Sequence, residues 1–175
     1  MTTKIETVAP EEPKPELTTR QKEVLQLVGK NTHQIAKILG IRPETVHRHF
    51  YARLESGDPY PGIYSLLGVQ SRTGAVVEGF RQKYLLLPKE PRKKPQLTAS
   101  KLQILKLTAQ ELTFKAIALK LEISQETVKH HFVDKKKING QSGIYELFGL
   151  KGEDRNVAMA VRRAIELRLL KIDEI

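Results

Sequence analysis

The chain has 175 residues, enough for one domain or two small ones, and sets 30 Lys and Arg against 20 Asp and Glu, a net charge of +10. That balance favours a polyanionic partner, nucleic acid before an anionic membrane surface, over a basic protein with no such partner. Cysteine is absent, which excludes disulfides, thiolate metal sites and Cys nucleophiles, and no apolar run approaches the ~20 residues of a membrane span.

Residues 1–16 are polar, hold three prolines and lack an apolar h-region, so they read as a disordered, mildly acidic arm rather than a signal peptide. Leu17-Thr18 opens the first periodic segment. Thr18 caps a helix predicted to run to about Val28, with Val24, Leu25, Leu27 and Val28 inward and Gly29 at its end. Asn31 caps a second helix with Ile35, Ile38 and Leu39 inward, and Gly40 closes it in a left-handed turn. A third helix is expected from Pro43 to about Leu54. Pro43 takes the first helical position, where its missing N–H costs nothing. SGDPYPG (56–62) is a loop, and Ile63 to Val69 a short apolar turn. Ser71 caps a last helix to about Leu86, buried through Ala75, Val76, Phe80 and Tyr84. PKEPRKKPQ (88–96) is a basic linker that its prolines hold extended.

The pattern then restarts. Leu97-Thr98 matches Leu17-Thr18 at an offset of 80, Ile117-Ala118 matches Ile35-Ala36 at 82, Gly143-Ile144-Tyr145 matches Gly62-Ile63-Tyr64 at 81, and Arg155 matches Arg72 at 83. The slips are expected in loops, as in a duplicated fold. The two third helices, IRPETVHRHF (41–50) and ISQETVKHHF (123–132), correspond throughout. In the second, Ser124 caps, Val128 and Phe132 share one face, and Thr127, Lys129 and His130 offer donors elsewhere. Such a helix suits a DNA major groove. The final helix, about Asn156 to Lys171, has one apolar face and one basic face, with Arg162, Arg163, Arg168 and Lys171. Residues 17–87 carry +5, 88–96 carry +3 and 97–171 carry +6, while both ends are acidic. The expected organisation is an all-α protein: a 1–16 arm, a 17–87 helix-turn-helix domain, an 88–96 linker and a 97–175 helix-turn-helix domain.

These residues resemble the DNA-binding domain of LuxR-type (GerE-like) transcription regulators. In the second repeat the resemblance rests on Leu97-Thr98, Ile104-Leu105, Thr113 with Lys115-Ala116-Ile117-Ala118, and Ile123-Ser124-Gln125-Glu126-Thr127-Val128-Lys129-His130-His131. In the first it rests on Leu17-Thr18-Thr19-Arg20, Thr45-Val46-His47-Arg48-His49 and a closing motif from Leu67 to Val76. The first repeat departs at Arg42 and His47, where the family prefers Ser and Lys. The second repeat's closing motif is degraded to Gly149–Arg155. Both repeats carry about ten extra residues after the third helix, around a shared Gly-Ile-Tyr-x-Leu-x-Gly, so the insertion preceded the duplication. No receiver or ligand-binding domain is expected within these 175 residues.

The resemblance implies a transcription regulator that is not an enzyme, has no cofactor or metal, and works in the cytoplasm at the nucleoid. Its positions facing base edges map to His47, Arg48 and Tyr51, and to Lys129, His130 and Val133. Arg48 and Lys129 can donate to guanine, and Val133 can touch only a thymine methyl. Thr45, Arg53, Lys115, Thr127, Lys135, Lys136 and Lys137 have the charge or reach for phosphates, and Arg92, Lys93 and Lys94 would follow the backbone along the linker. Solvated helix faces are the bland alternative, strongest for the three-lysine run, which also balances a helix dipole. The paired histidines do not make a metal set, since residues i and i+2 point apart on a helix.

Double-stranded DNA is the expected partner. The last helices and the inserted loops are the surfaces for self-association or a protein partner, and with both copies in one chain the last helices can also pair internally. Tyr60, Tyr64 and Tyr145 could contact the DNA backbone, pack on the last helix or make a partner surface, but an apolar bracket through Ile63, Leu66, Ile144 and Leu147 is the simpler reading. Half-sites one turn apart are ~34 Å between centres, against the ~28 Å an extended nine-residue linker reaches, which leaves head-to-head and tandem arrangements both open. Two other functions fit the residues: a helix-turn-helix scaffold used for protein interaction, and a non-specific binder of DNA or structured RNA.

Overall fold

The computed structural model describes residues 16–51, 61–89, 93–133 and 142–175. Among them are ten α-helices and no strand. The first repeat holds α1 (Thr19–Gln26), α2 (Thr32–Leu39), α3 (Pro43–Phe50), α4 (Ile63–Leu67) and α5 (Arg72–Arg81). The second holds α6 (Ala99–Ala109), α7 (Phe114–Lys120), α8 (Gln125–Phe132), α9 (Ile144–Leu147) and α10 (Val157–Glu166). No described helix is long and apolar enough to cross a membrane.

Local chemistry starts each long helix. Thr18 with Gln21, and Asn31 with Gln34, form capping boxes that satisfy otherwise unpaired N–H groups. Thr98, Thr113, Ser124, Ser71 and Asn156 each accept from the backbone N–H three residues on. Gly40 takes the left-handed conformation at φ 63° and closes α2. The apolar stripes meet inside each repeat. Val24, Leu25, Ile35, Val46, Phe50 and Ile63 fill the first core, and Ile104, Leu105, Ile117, Val128, Phe132 and Ile144 fill the second. Tyr64 and Tyr145 are buried beside Phe50 and Phe132, so the inserted loops extend the core, as the bracket reading has it. Tyr60 lies outside the described residues.

Several ends differ from expectation. α1 stops at Gln26 because Leu27 and Val28 turn back to Val24 and Leu25 in a tighter winding. α5 stops at Arg81 and α10 at Glu166, ahead of Lys83 and Arg168 at φ 62° and 55°. Tyr84, Arg168 and Lys171 therefore lie beyond their helices, and Arg163 is paired with Glu166, so the expected basic face is shortened. Ile38, expected inside, is 54% exposed, because Ile35 and Leu39 already occupy the inward stripe of α2. The two residues gained after the first helix do not form a longer loop. α6 is three residues longer than α1 and ends at Ala109, ahead of Glu111 at φ 63°. Lastly, the caps Ser71 and Asn156 are 85 apart, as are Lys83 and Arg168, so the last helices correspond at 85 rather than the 83 that pairs Arg72 with Arg155.

The repeats pack directly on each other, α5 against α10, in one continuous apolar cluster with both cores. Each last helix also begins on the other repeat's first turn. Asn156 Nδ2 donates to Gly29 O at 3.0 Å, and Ser71 Oγ donates to the Glu111 carboxylate. Reciprocal contacts of this kind are those of a two-fold pair. An internal pairing of the last helices is one of the arrangements the sequence leaves open, and the α5–α10 contact is that pairing. Lys94 Nζ reaches Arg168 O at 3.4 Å, so this end of the linker lies on the second repeat.

Candidate nucleic-acid interface

α3 and α8 are eight residues each and are seated the same way. Val46 and Phe50, and Val128 and Phe132, point inward with no more than 1% exposure. The 3.6-residue period then turns the intervening residues outward. His47, Arg48 and Lys129 are exposed, and Thr45, His49, Thr127, His130 and His131 are half-buried. α2 and α7 pack across the backs of α3 and α8, completing a helix-turn-helix in each repeat.

The outward face of α3 is open among the described residues. Arg48 Nη2 donates to Thr45 Oγ1 at 3.3 Å, a contact that an exposed guanidinium can exchange for another. His47 stacks on Tyr51 at 4.3 Å between centroids, and Tyr51 meets the edge of Tyr64 at 5.0 Å. Tyr51 is the C-cap, in extended backbone, and stays 48% exposed. Burial, with the neighbouring Tyr51 hydroxyl, pushes Tyr64 up to about 12 against the opposing pull of Arg72, so it is a neutral hydrogen-bonding group.

The outward face of α8 carries a carboxylate. Glu126 lies 3.5 Å from Lys129 Nζ and 3.0 Å from His130 Nε2, beside two of the side chains expected to meet bases, and the buried His130 Nε2 makes no hydrogen bond among the described residues. The spacings i,i+3 and i,i+4 make this pairing legible in the sequence. Glu44, its counterpart, makes no ion pair among the described residues. Thr127 Oγ1 shares a hydrogen bond with the capping Ser124 Oγ at 2.8 Å. Val133 takes the place of Tyr51 and is 45% exposed. Lys115 is exposed near the start of α7. Arg53, Arg92, Lys135, Lys136 and Lys137 lie outside the described residues, while Lys93 and Lys94 are exposed.

His49 and His131 sit at the same place on the two helices, and burial lowers both pKa values. Arg20 and Arg48 add to the effect at His49, and Lys101 and His130 at His131. Sequence reasoning missed the part played by Arg72. Its guanidinium donates to Lys30 O and Thr32 Oγ1, and lies 5.0 Å above the Phe50 ring. It ties α5 to the start of α2 and to the base of α3. Arg155 covers Tyr145 at 5.8 Å from the residue before the α10 cap, a different helical position at the same corner.

Two stretches of the chain, residues 15–55 and 95–139, match the family model of bacterial regulatory proteins, luxR family. These stretches run from the start of α1 past α3, and from the start of α6 past α8. The inserted helices and the last helices lie beyond them. Neither a curated protein nor a solved structure matches the chain. The all-helical fold, the two helix-turn-helix units and the doubled family match agree: both repeats belong to the luxR family of DNA-binding bacterial regulators, and the chain carries them as a tandem pair.

Proposed function

We propose that the chain is a sequence-selective regulator of transcription that binds double-stranded DNA at the nucleoid with two reading helices. The repeats, taken as 17–87 and 97–175, act as one preassembled pair. The observation that carries this reading is the reciprocal seating of α5 and α10, because a two-fold pair turns its two reading helices toward an inverted pair of half-sites. Since α3 and α8 differ at the outward positions, the two half-sites differ in sequence.

His47, Arg48 and Tyr51 address bases from α3, with Arg48 as the guanine donor. Lys129, His130 and Val133 address them from α8. Thr45, Thr127, Lys115, Arg53 and the Lys135–Lys137 run neutralise or bond phosphates, with Lys93 on the linker. Glu126 weakens the second head, because DNA must displace it from Lys129 and His130. That pairing is also the observation favouring a rival reading, in which the second repeat contributes only sequence-independent binding.

Selection of bound duplexes from a random pool at about 150 mM salt tests the proposal. The expected result is an inverted two-part consensus whose first half is lost with Arg48→Ala and whose second, weaker half is lost with Lys129→Ala. A pool that stays random with wild type and both variants rejects sequence selectivity. A one-part consensus unaffected by Lys129→Ala supports the rival.

A further inference from the structure

The two halves of the inter-repeat contact are related in position but opposite in chemistry. Gly29 and Glu111 both stand two residues before a helix cap, Asn31 and Thr113. Gly74 and Met159 both stand three residues after a cap, Ser71 and Asn156. In one half the turn is bare and the helix bulky. A Cβ on Gly29 would lie 2.8 Å from Met159 Sδ, and Arg162 Nη1 donates to Gln26 O at 2.5 Å. In the other half the helix is bare and the turn bulky. A Cβ on Gly74 would collide with the Glu111 carboxylate.

Charge follows the same exchange. Before α10 the chain is acidic and meets donors of the first repeat. Asp154 lies 3.5 Å from Lys30 Nζ and 3.4 Å from Gln34 Nε2, and Glu153 accepts from Asn31 Nδ2 at 3.0 Å. Before α5 the chain offers donors instead, and the acid is on the turn. Ser71 Oγ and Gln70 N both donate to Glu111. Glu111 holds a left-handed φ that glycine would adopt without steric cost, so its carboxylate, not its backbone, suits it to this position.

We propose that this surface is a one-way match, by which a first repeat accepts a second repeat and rejects its own kind. Two second repeats placed in this arrangement would set Glu111 against Glu153, Asp154 and Met159. Two first repeats would leave Gly29 facing Gly74, and Lys30 facing no carboxylate. The partner for each face is the other half of the same chain, and the rejected partner is the like half of a second copy. This inference does not depend on what the reading helices bind.

Sedimentation of the full chain and a charge-reversal cycle test it. Wild type is expected to remain a monomer from about 10 to 100 μM, since tethering supplies the unlike partner at millimolar effective concentration. Glu111→Lys breaks the Ser71 contact and removes the barrier between two second repeats, so it is expected to gain a concentration-dependent dimer over that range. Lys30→Glu and Asp154→Lys are each expected to lower the thermal midpoint by about 2 °C, and the double reversal to restore it. A wild-type dimer, a Glu111→Lys chain as monomeric as wild type, or a reversal cycle that merely adds would each overturn the one-way match.

Discussion

α3 and α8 share length, seat and inner face, yet on α3 the outward cation Arg48 meets a neutral hydroxyl and on α8 Lys129 meets a carboxylate. Among the described residues Arg48 donates to a nearby hydroxyl, whereas Lys129 and His130 lie beside the Glu126 carboxylate. Duplication copied the scaffold that aims the helix, and divergence then altered what each outward face can donate. The last helices teach the same lesson from the other side of the fold. Their buried residues repeat, while their first turns have exchanged bulk and charge.

The comparison breaks most heavily at the seats. Phe50→Ala and Phe132→Ala should each cost about 3–5 kcal/mol in urea unfolding, because each ring is 1% exposed. A loss below about 1 kcal/mol for either would mean that its helix is not held as described. Next is the corner arginine. Arg72→Ala should cost about 2 kcal/mol, through two lost hydrogen bonds and the uncovered Phe50 ring, and the exposed Arg155→Ala well under about 1 kcal/mol. Equal losses would erase the difference between the two corners.

Smaller effects sharpen the contrast between the heads. Arg48→Ala should relax sequence preference in one half-site by about tenfold, as measured by competition binding between matched and mismatched duplexes. Glu126→Gln should tighten binding about threefold and steepen its salt dependence, because it frees Lys129 and removes a negative charge from the DNA side. Unchanged affinity would show that the Glu126 contacts are already lost in the complex. The smallest effect is titration of His49 and His131. Both pKa values lie below the ordinary 6.5 in the folded chain, so the unfolded chain takes up protons first as pH falls. Stability should be level above about pH 6.5 and decline below it, with the decline reduced in His49→Gln/His131→Gln. A chain that gains stability on acidification through this range would contradict the burial of both imidazoles.

Much of this was legible in the chain because it rests on contacts between near neighbours. The caps at Thr18, Asn31, Ser71, Thr98, Thr113, Ser124 and Asn156, the left-handed Gly40 and the inward pairs Val46/Phe50 and Val128/Phe132 all follow from spacings of three or four residues. The Glu126 pairing had such a spacing as well and went unread. Helix ends were less legible. Lys83 and Arg168 break their helices without a glycine, where turn propensity predicts continuation.

By itself, then, the sequence determined two copies of a helical scaffold, the helix of each that presents an outward polar face, and the positive charge of both repeats. Short-range hydrogen bonds and apolar periodicity are enough for that. Only the tertiary structure decided that α5 and α10 clasp each other, that the linker does not hold the repeats apart, and that Glu111, Glu153 and Asp154 serve the junction. Those residues meet partners 40 to 124 positions away. Contacts at that distance leave no periodic trace in the chain, since they exist only after both cores have formed and brought their edges together.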